Sequence, residues 1–259
     1  MRQNLGSGAN AAVRRAQRLD PALTPISPAI VQETIRHLDL EEAKRTVPRG
    51  FDIVREGRRC NSISLFIEGV AIHYRILRDG QRQIFNVLLP GDFAGAVTCR
   101  FETALYSIRS LTSVTLAPIP LPRLLALFDS HPTLAARLFW RISCESTVLC
   151  ERLTAIGRLS ARERVAHFLL ELLVRLQVVG LAGERSYRLP LTREMIADML
   201  GLSKSHMSRI FQELCSERLL SISDQMVHID NIDELAALGH FEPGYLRPLA
   251  YSDLAAQSA

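Results

Sequence analysis

Four polar residues in the C-terminal third of the chain, Lys204, Ser205, Ser208 and Arg209, recur at the spacing of one helical face. An arginine near the N-terminus of such a helix can donate two hydrogen bonds to the O6 and N7 atoms of guanine. Lysine and serine side chains can bind either phosphates or base edges. These residue types at this spacing predict a helix that reads duplex DNA in the major groove.

Two short helices around a glycine are predicted to position these side chains. Thr192 can cap the first helix, and Ser203 can cap the second. Gly201 lies between them, where a left-handed turn would end the first helix. The apolar residues follow helical spacing: Met195, Ile196, Met199 and Leu200, then Met207, Ile210, Phe211 and Leu214. The pattern is typical of a helix-turn-helix, whose second helix enters the major groove.

A predicted hairpin follows the second helix. Residues 219–222 and 226–229 have the pattern of short strands, and a polar turn at 223–225 joins them. This hairpin favours a winged helix-turn-helix over an ordinary helical hairpin. Asn231 then caps a further short helix, which is expected to end by Gly239.

The block at 191–214 has the form L-T-x-E-x-I-A-x-x-L-G-L-S-x-x-x-x-S-R-x-x-x-x-L and resembles the CRP/FNR superfamily of bacterial transcription regulators. The resemblance extends over about residues 25–240. It implies a sequence-specific DNA-binding regulator, with Ser208 and Arg209 at base-reading or backbone-reading positions. Many members carry a glutamate that accepts from cytosine where this chain has Ser205, which leaves the operator sequence open.

Phosphate contacts are expected from the start of each helix, because contacts there fix the register of a protein on DNA. Thr192 and Arg193 open the first helix. The remaining predicted DNA-binding residues lie at the start of the second: Ser203, Lys204, Ser205 and His206.

Short alternating strands dominate residues 50–119, after a helical pattern at about 26–47. Asp79-Gly80 is a strong hairpin turn within them. Many short strands at this spacing predict a small β-barrel or jelly roll. The segment also resembles the β-roll effector domain of the same superfamily.

The turn at 90–93 and Gly95 resemble the entrance to the phosphate-binding cassette of that domain. Cyclic-nucleotide binders carry a glutamate directly after this glycine and an Arg-Ser pair further on. This chain has Ala96 at the first position and Ala104-Leu105 at the second. Because a buried phosphate needs cationic or backbone partners, cyclic AMP is not expected to bind.

Gly95, Arg109 and Cys150 are the candidate effector-binding residues. Arg109 is the nearest remaining arginine, although strand alternation could equally direct it to solvent. In related proteins the effector touches the helix that follows the β-roll, which brings in Cys150. His73 on a strand is more typical of a surface or core histidine than of a haem ligand.

No cofactor or metal site is predicted. The five cysteines are scattered and form no Cys-x-x-Cys pair. No cysteine precedes Cys60, so the chain lacks the closely spaced N-terminal ligands of an FNR-type iron–sulfur cluster.

A long helix is predicted at 131–158, opened by His131-Pro132. Its apolar residues recur in steps of three, four or seven: Leu134, Leu138, Ile142, Leu149, Leu153 and Ile156. Such a seam suggests pairing with a second copy, and the resemblance to the superfamily favours this over packing on the β-roll alone. Residues 157–159 are the expected hinge, after which Ser160 and Glu163 form a capping box for the next helix.

The predicted fold is α+β: a flexible tail (1–25), a β-roll sensor domain (26–130), a dimerisation helix (131–158), a winged helix-turn-helix domain (159–238) and a C-terminal tail (239–259). The expected partners are double-stranded DNA, a second copy of the chain and, by resemblance, RNA polymerase. The net charge of +4 permits nucleic-acid binding without requiring it.

Cytoplasmic localisation is expected, because the chain has neither a membrane-length apolar run nor the apolar core of a signal peptide. The alternative is a ligand or redox sensor whose helical hairpin is a protein-interaction surface. An enzyme is not expected, since no nucleophile elbow, P-loop or paired metal ligands occur.

Overall fold

The computed structural model describes residues 28–60, 62–96 and 101–246. The chain divides into two compact units, of which the described parts are residues 28–146, here the β-roll unit, and 147–246, here the C-terminal unit. The predicted tail at 1–25, Cys99 and residues 247–259 of the predicted C-terminal tail lie outside the described residues.

Short antiparallel strands form the sheets of the β-roll unit. They are β1 (Arg45–Val47), β2 (Asp52–Val54), β3 (Ser62–Glu68), β4 (Ala71–Ile76), β5 (Arg82–Leu88), β6 (Phe93–Ala94), β7 (Ser107–Ser110) and β8 (Val114–Pro120). Within the described residues they form two four-stranded sheets, ordered β1-β8-β3-β6 and β2-β7-β4-β5. The hairpin predicted at Asp79-Gly80 is confirmed, since it joins β4 and β5 with Gly80 at φ 85°.

Two apolar clusters hold the β-roll unit together. One lies between the sheets and contains Phe66, Ala71, Leu88, Ile108 and Leu116. The other packs the first sheet against the helices α1 (Pro28–His37), α2 (Leu121–Ser130) and the start of α3 (Pro132–Arg158). Because an apolar cluster lies on each face of the first sheet, β3 is buried at four consecutive residues, 63–66, instead of at alternate ones.

The helical pattern predicted up to residue 47 is wrong beyond α1. Asp39 adopts φ 49°, and the N–H of Leu40 donates to the carbonyl of Ile35 at 2.9 Å, which closes the helix. Both Leu38 and Leu40 are buried by this turn. Residues 45–47 then pair with β8 instead of continuing the helix.

Helix α2 was absent from the sequence-based prediction, which assigned no element to residues 120–130. Pro122 stands in its first turn, a position that suits proline because the missing N–H needs no partner there. Leu127 is its fully buried residue. The long helix predicted at 131–158 is present as α3.

The C-terminal unit is built on α4 (Ala161–Val178). The capping box predicted at Ser160 and Glu163 is present. Every residue from 165 to 176 is buried, so α4 is surrounded by the rest of the unit: α5 (Arg193–Leu200), α6 (Lys204–Ser216), α7 (Ile232–Leu238) and the strands β9 (Ser186–Arg188), β10 (Leu220–Ser223) and β11 (Met226–Ile229).

A buried charged cluster lies against α4. Glu171 accepts hydrogen bonds from Arg152 of α3 at 2.6 Å and from Arg175 at 3.2 Å. Beside it, His167 bonds to the carbonyl of Gly239 at 3.0 Å and to the hydroxyl of Tyr245 at 3.1 Å. Part of the predicted C-terminal tail is therefore packed on α4, through a 3₁₀ turn at Pro243–Leu246.

Among the described residues, no helix is long and apolar enough to cross a membrane.

Candidate DNA-binding site

The first helix of the predicted pair is α5, and its ends are fixed by local hydrogen bonds. The hydroxyl of Thr192 accepts from the N–H of Met195 at 3.2 Å, which makes Thr192 the N-cap. Gly201 ends the helix in the left-handed region at φ 66°, ψ 41°. The N–H of Leu202 reaches back to the carbonyl of Ala197 at 3.0 Å, so the turn directs the chain straight into α6.

The second helix, α6, begins one residue after its cap. The hydroxyl of Ser203 accepts from the N–H of His206 at 3.2 Å. Its apolar face is buried through Met207, Ile210, Phe211 and Leu214. Since this face is held by the core of the unit, the opposite face of α6 is fixed in orientation and open to solvent.

Two cations project from that open face. The side chains of Lys204 and Arg209 are 72% and 67% exposed. Each has a glutamate at 3.8 Å, Glu194 for Lys204 and Glu213 for Arg209. Exposed pairs at this distance contribute less than about 1 kcal/mol, so both cations can exchange them for phosphate or guanine.

The remaining predicted DNA-binding residues are three on α6 and one at the start of α5. Ser205 lies 3.2 Å from Ser203, hydroxyl to hydroxyl, beside the N-cap of α6. Ser208 and His206 are half-buried on the same helix. The guanidinium of Arg193 lies 5.3 Å from the ring centre of Phe211, where it can stack on the ring and still reach outward.

The wing supplies residues that the sequence-based reasoning missed. Strands β10, β11 and β9 form an antiparallel sheet, and Asp224 and Gln225 turn the hairpin with φ of 48° and 66°. Arg188 on β9 donates to the Gln225 side chain at 3.4 Å, which holds a cation at the wing tip. Residues 186–188 were not predicted as a strand because three residues are too few to show alternation.

The β-roll unit contains a small internal cavity. It is about 10 Å³ in volume, and its lining comprises Val54, His73, Leu88, Phe93, Gly95, Ala96, Tyr106, Ile108 and Glu145. A space of this size holds about one water molecule. Burial lowers the pKa of His73 to about 4, so the imidazole is neutral near pH 7.

The two candidate effector residues of the β-roll unit do not both line this cavity. Gly95 lines it, whereas Arg109 donates two hydrogen bonds to Asp52, at 2.8 and 3.2 Å. Burial alone would raise the pKa of Asp52, but the hydrogen bonds from Arg109 and Tyr74 lower it on balance. Cys150 is an exposed residue of the C-terminal unit.

Comparison with known proteins identifies both units. A family model described as the Crp-like helix-turn-helix domain matches residues 163–238, and one described as the cyclic nucleotide-binding domain matches residues 44–131. The transcriptional activatory protein AadR of Rhodopseudomonas palustris is 33% identical over 189 residues, which cover 70% of this chain and 76% of AadR.

Two further matches extend this similarity. The transcriptional activator Anr of Pseudomonas aeruginosa is 28% identical over 221 residues, covering 85% of this chain and 89% of Anr. The solved structure of FixK2 from Bradyrhizobium japonicum superposes with a TM-score of 0.67 at 24% identity, over 75% of this chain and 96% of FixK2. At that identity the superposition shows a common fold.

Proposed function

The chain belongs to the CRP/FNR superfamily of DNA-binding transcription regulators, and we propose that it binds a near-palindromic operator as a homodimer. The observation that carries this proposal is the open face of α6, where two exposed cations stand on a helix capped by Ser203 and anchored by a buried apolar face. That arrangement suits insertion into the major groove.

Base reading is assigned to the residues that project furthest from α6. Arg209 is proposed to donate two hydrogen bonds to a guanine, and Lys204 is proposed to contact a neighbouring base or a phosphate. Thr192, Arg193, Ser203 and His206 are proposed to contact phosphates, because they lie at helix starts where backbone N–H groups also point outward.

Pairing of two chains through α3 is supported by apolar side chains that the single chain leaves in solvent. In the C-terminal unit Leu153 is 72% exposed, with Leu149 and Ile156 also exposed on α3. In the β-roll unit Phe139 is 65% exposed on the same helix. Large exposed apolar residues in series typically mark an interface, and a two-fold pair would place its recognition helices roughly 34 Å apart.

The protein is proposed to bind its operator without a cyclic nucleotide in the β-roll. Small-molecule pockets occupy about 300–1,000 Å³. The cavity is far smaller, at about 10 Å³, and no arginine or lysine is among its described lining residues. The effector candidates Gly95, Arg109 and Cys150 stay predictions, and Gly95 lines the cavity.

Activation is the proposed direction of regulation, since AadR and Anr are both named as activators. In this proposal the protein acts in the cytoplasm and contacts RNA polymerase from its operator. No cofactor enters the proposal.

Selection of bound sequences from random duplex DNA tests the proposal, using purified full-length protein without ligand. Recovery of a palindrome with half-sites one helical turn apart is the expected outcome. Salt-sensitive binding without any enriched sequence would contradict the proposal that the ligand-free protein is competent.

A further inference from the structure

The outward face of α6 carries hydrogen-bond donors and hydroxyls but no carboxylate in its first two turns. From the cap at Ser203 to Arg209, the outward residues are Lys204, Ser205 and Arg209, with His206 and Ser208 half-buried between them. Glu213 is the first acidic residue of the helix, two turns in, and it lies beside Arg209. Acceptor groups for reading a base are therefore scarce at the end of α6 that enters the groove.

Ser205 is the outward residue whose side chain is turned toward the helix cap. Its hydroxyl lies 3.2 Å from that of Ser203, which itself accepts from the N–H of His206. The two hydroxyls and the N–H form a local chain at the start of α6. A serine side chain is also short, so while it bonds to Ser203 it leaves the space in front of it unfilled.

Hydroxyl groups discriminate poorly among bases, because they can both donate and accept. A carboxylate at the same position would select cytosine, whose N4 amino group is a donor, and would disfavour bases that present acceptors. An arginine would select guanine. The residue at 205 therefore decides whether one base pair of the half-site is read at all.

We propose that Ser205 completes the cap of α6 and leaves the base pair in front of it unread, so that each half-site contains one degenerate position beside those specified by Arg209 and Lys204. This inference rests on the proposed function, since it presupposes that α6 enters the major groove. The side chains that read the half-site are then mainly hydrogen-bond donors. They should select bases whose major-groove edges present acceptors, which are purines and above all guanine.

The test repeats the selection from random duplex DNA with wild type, Ser205→Ala and Ser205→Glu. Ser205→Glu is expected to enrich cytosine at one position of each half-site, which identifies the base pair that faces residue 205. At that same position wild type and Ser205→Ala are expected to show nearly equal base frequencies and otherwise identical sequence preferences.

Several outcomes would overturn the inference. A strong wild-type preference at the position that Ser205→Glu converts to cytosine would mean that the serine reads that base. Altered base preferences in Ser205→Ala would mean the same, and a Ser205→Glu pool identical to wild type would mean that residue 205 faces no base. Failure of wild type to enrich any palindrome would instead count against the proposed function itself.

Ser203→Ala provides the matched control within the same hydroxyl chain. It removes the N-cap, so it is expected to weaken binding to all selected sequences by a similar factor, while the base frequencies at the positions read by Arg209 and Lys204 stay unchanged. A change in base frequencies at those positions would show that the cap sets the selectivity of α6, and would overturn the inference.

Discussion

Replacement of Glu171 by alanine is expected to destabilise the C-terminal unit severely. Glu171 is 1% exposed and accepts hydrogen bonds from Arg152 and Arg175, which are themselves buried. Loss of the carboxylate leaves two positively charged guanidinium groups in a desolvated site without the negative charge with which both pair. Removing one partner from a buried ion pair costs about 3–5 kcal/mol, a large part of a typical stability of about 5–15 kcal/mol.

Urea denaturation of the full-length protein, followed by far-UV circular dichroism, measures this loss as a fall in the midpoint of the transition. Glu217→Ala is the matched control, because Glu217 pairs with Arg162 at the surface of the same unit. Exposed pairs of this kind contribute less than about 1 kcal/mol. If Glu171→Ala lowered stability no more than Glu217→Ala, the buried cluster would not stabilise the unit as argued.

Three further perturbations address the cavity, the pairing of chains and the phosphate contacts. The pKa of His73 is lowered to about 4 in the folded chain. As the pH falls below 6.5, this histidine is therefore protonated in the unfolded chain before it is protonated in the folded chain. Stability should therefore fall between pH 6.5 and pH 4, by up to about 3 kcal/mol, and His73→Gln should lack this part of the fall in urea titrations at several pH values. Leu153→Glu should convert the proposed dimer to a folded monomer in light-scattering measurements, and an unchanged dimer would contradict the proposed interface. Arg193→Ala should weaken binding to all duplexes alike and reduce the salt slope of binding by about one, whereas an unchanged slope would remove Arg193 from the phosphate contacts.

The local signals of the DNA-binding site were sufficient for its prediction. Thr192, Gly201 and Ser203 act through hydrogen bonds or backbone angles within four residues, so the sequence pattern contains the whole interaction. The wing hairpin was predicted for the same reason, because its turn and two strands lie next to each other in the chain. These elements were predictable because their contacts are short in sequence.

Contacts between distant residues were not predictable from spacing. Asp52 and Arg109 pair across 57 positions, and nothing near Arg109 indicated that its guanidinium binds a carboxylate. Helix α4 buries His167, Glu171 and Arg175 together with its apolar residues, because residues of α3 and of the 3₁₀ turn cover its polar side. Such burial depends on the tertiary packing of remote segments.

The end of α1 was mispredicted because the helical spacing of its apolar residues gives no sign of the turn at Asp39. Leu38 and Leu40 are buried from either side of Asp39, whose positive φ reverses the chain direction. A left-handed aspartate has no periodic signature. Only the pairing of residues 45–47 with β8 makes the strand preferable to a longer helix.

The most direct test of DNA reading by α6 is the affinity of wild type and Arg209→Ala for the selected operator and for a scrambled duplex of equal length. Wild type is expected to bind the operator at least about 1,000-fold more tightly than the scrambled duplex. Arg209→Ala is expected to lose about 1–3 kcal/mol on the operator, roughly 10- to 100-fold in affinity, with little change on the scrambled duplex. Equal operator affinity for the two proteins would contradict the assignment of Arg209 as the base-reading residue of α6.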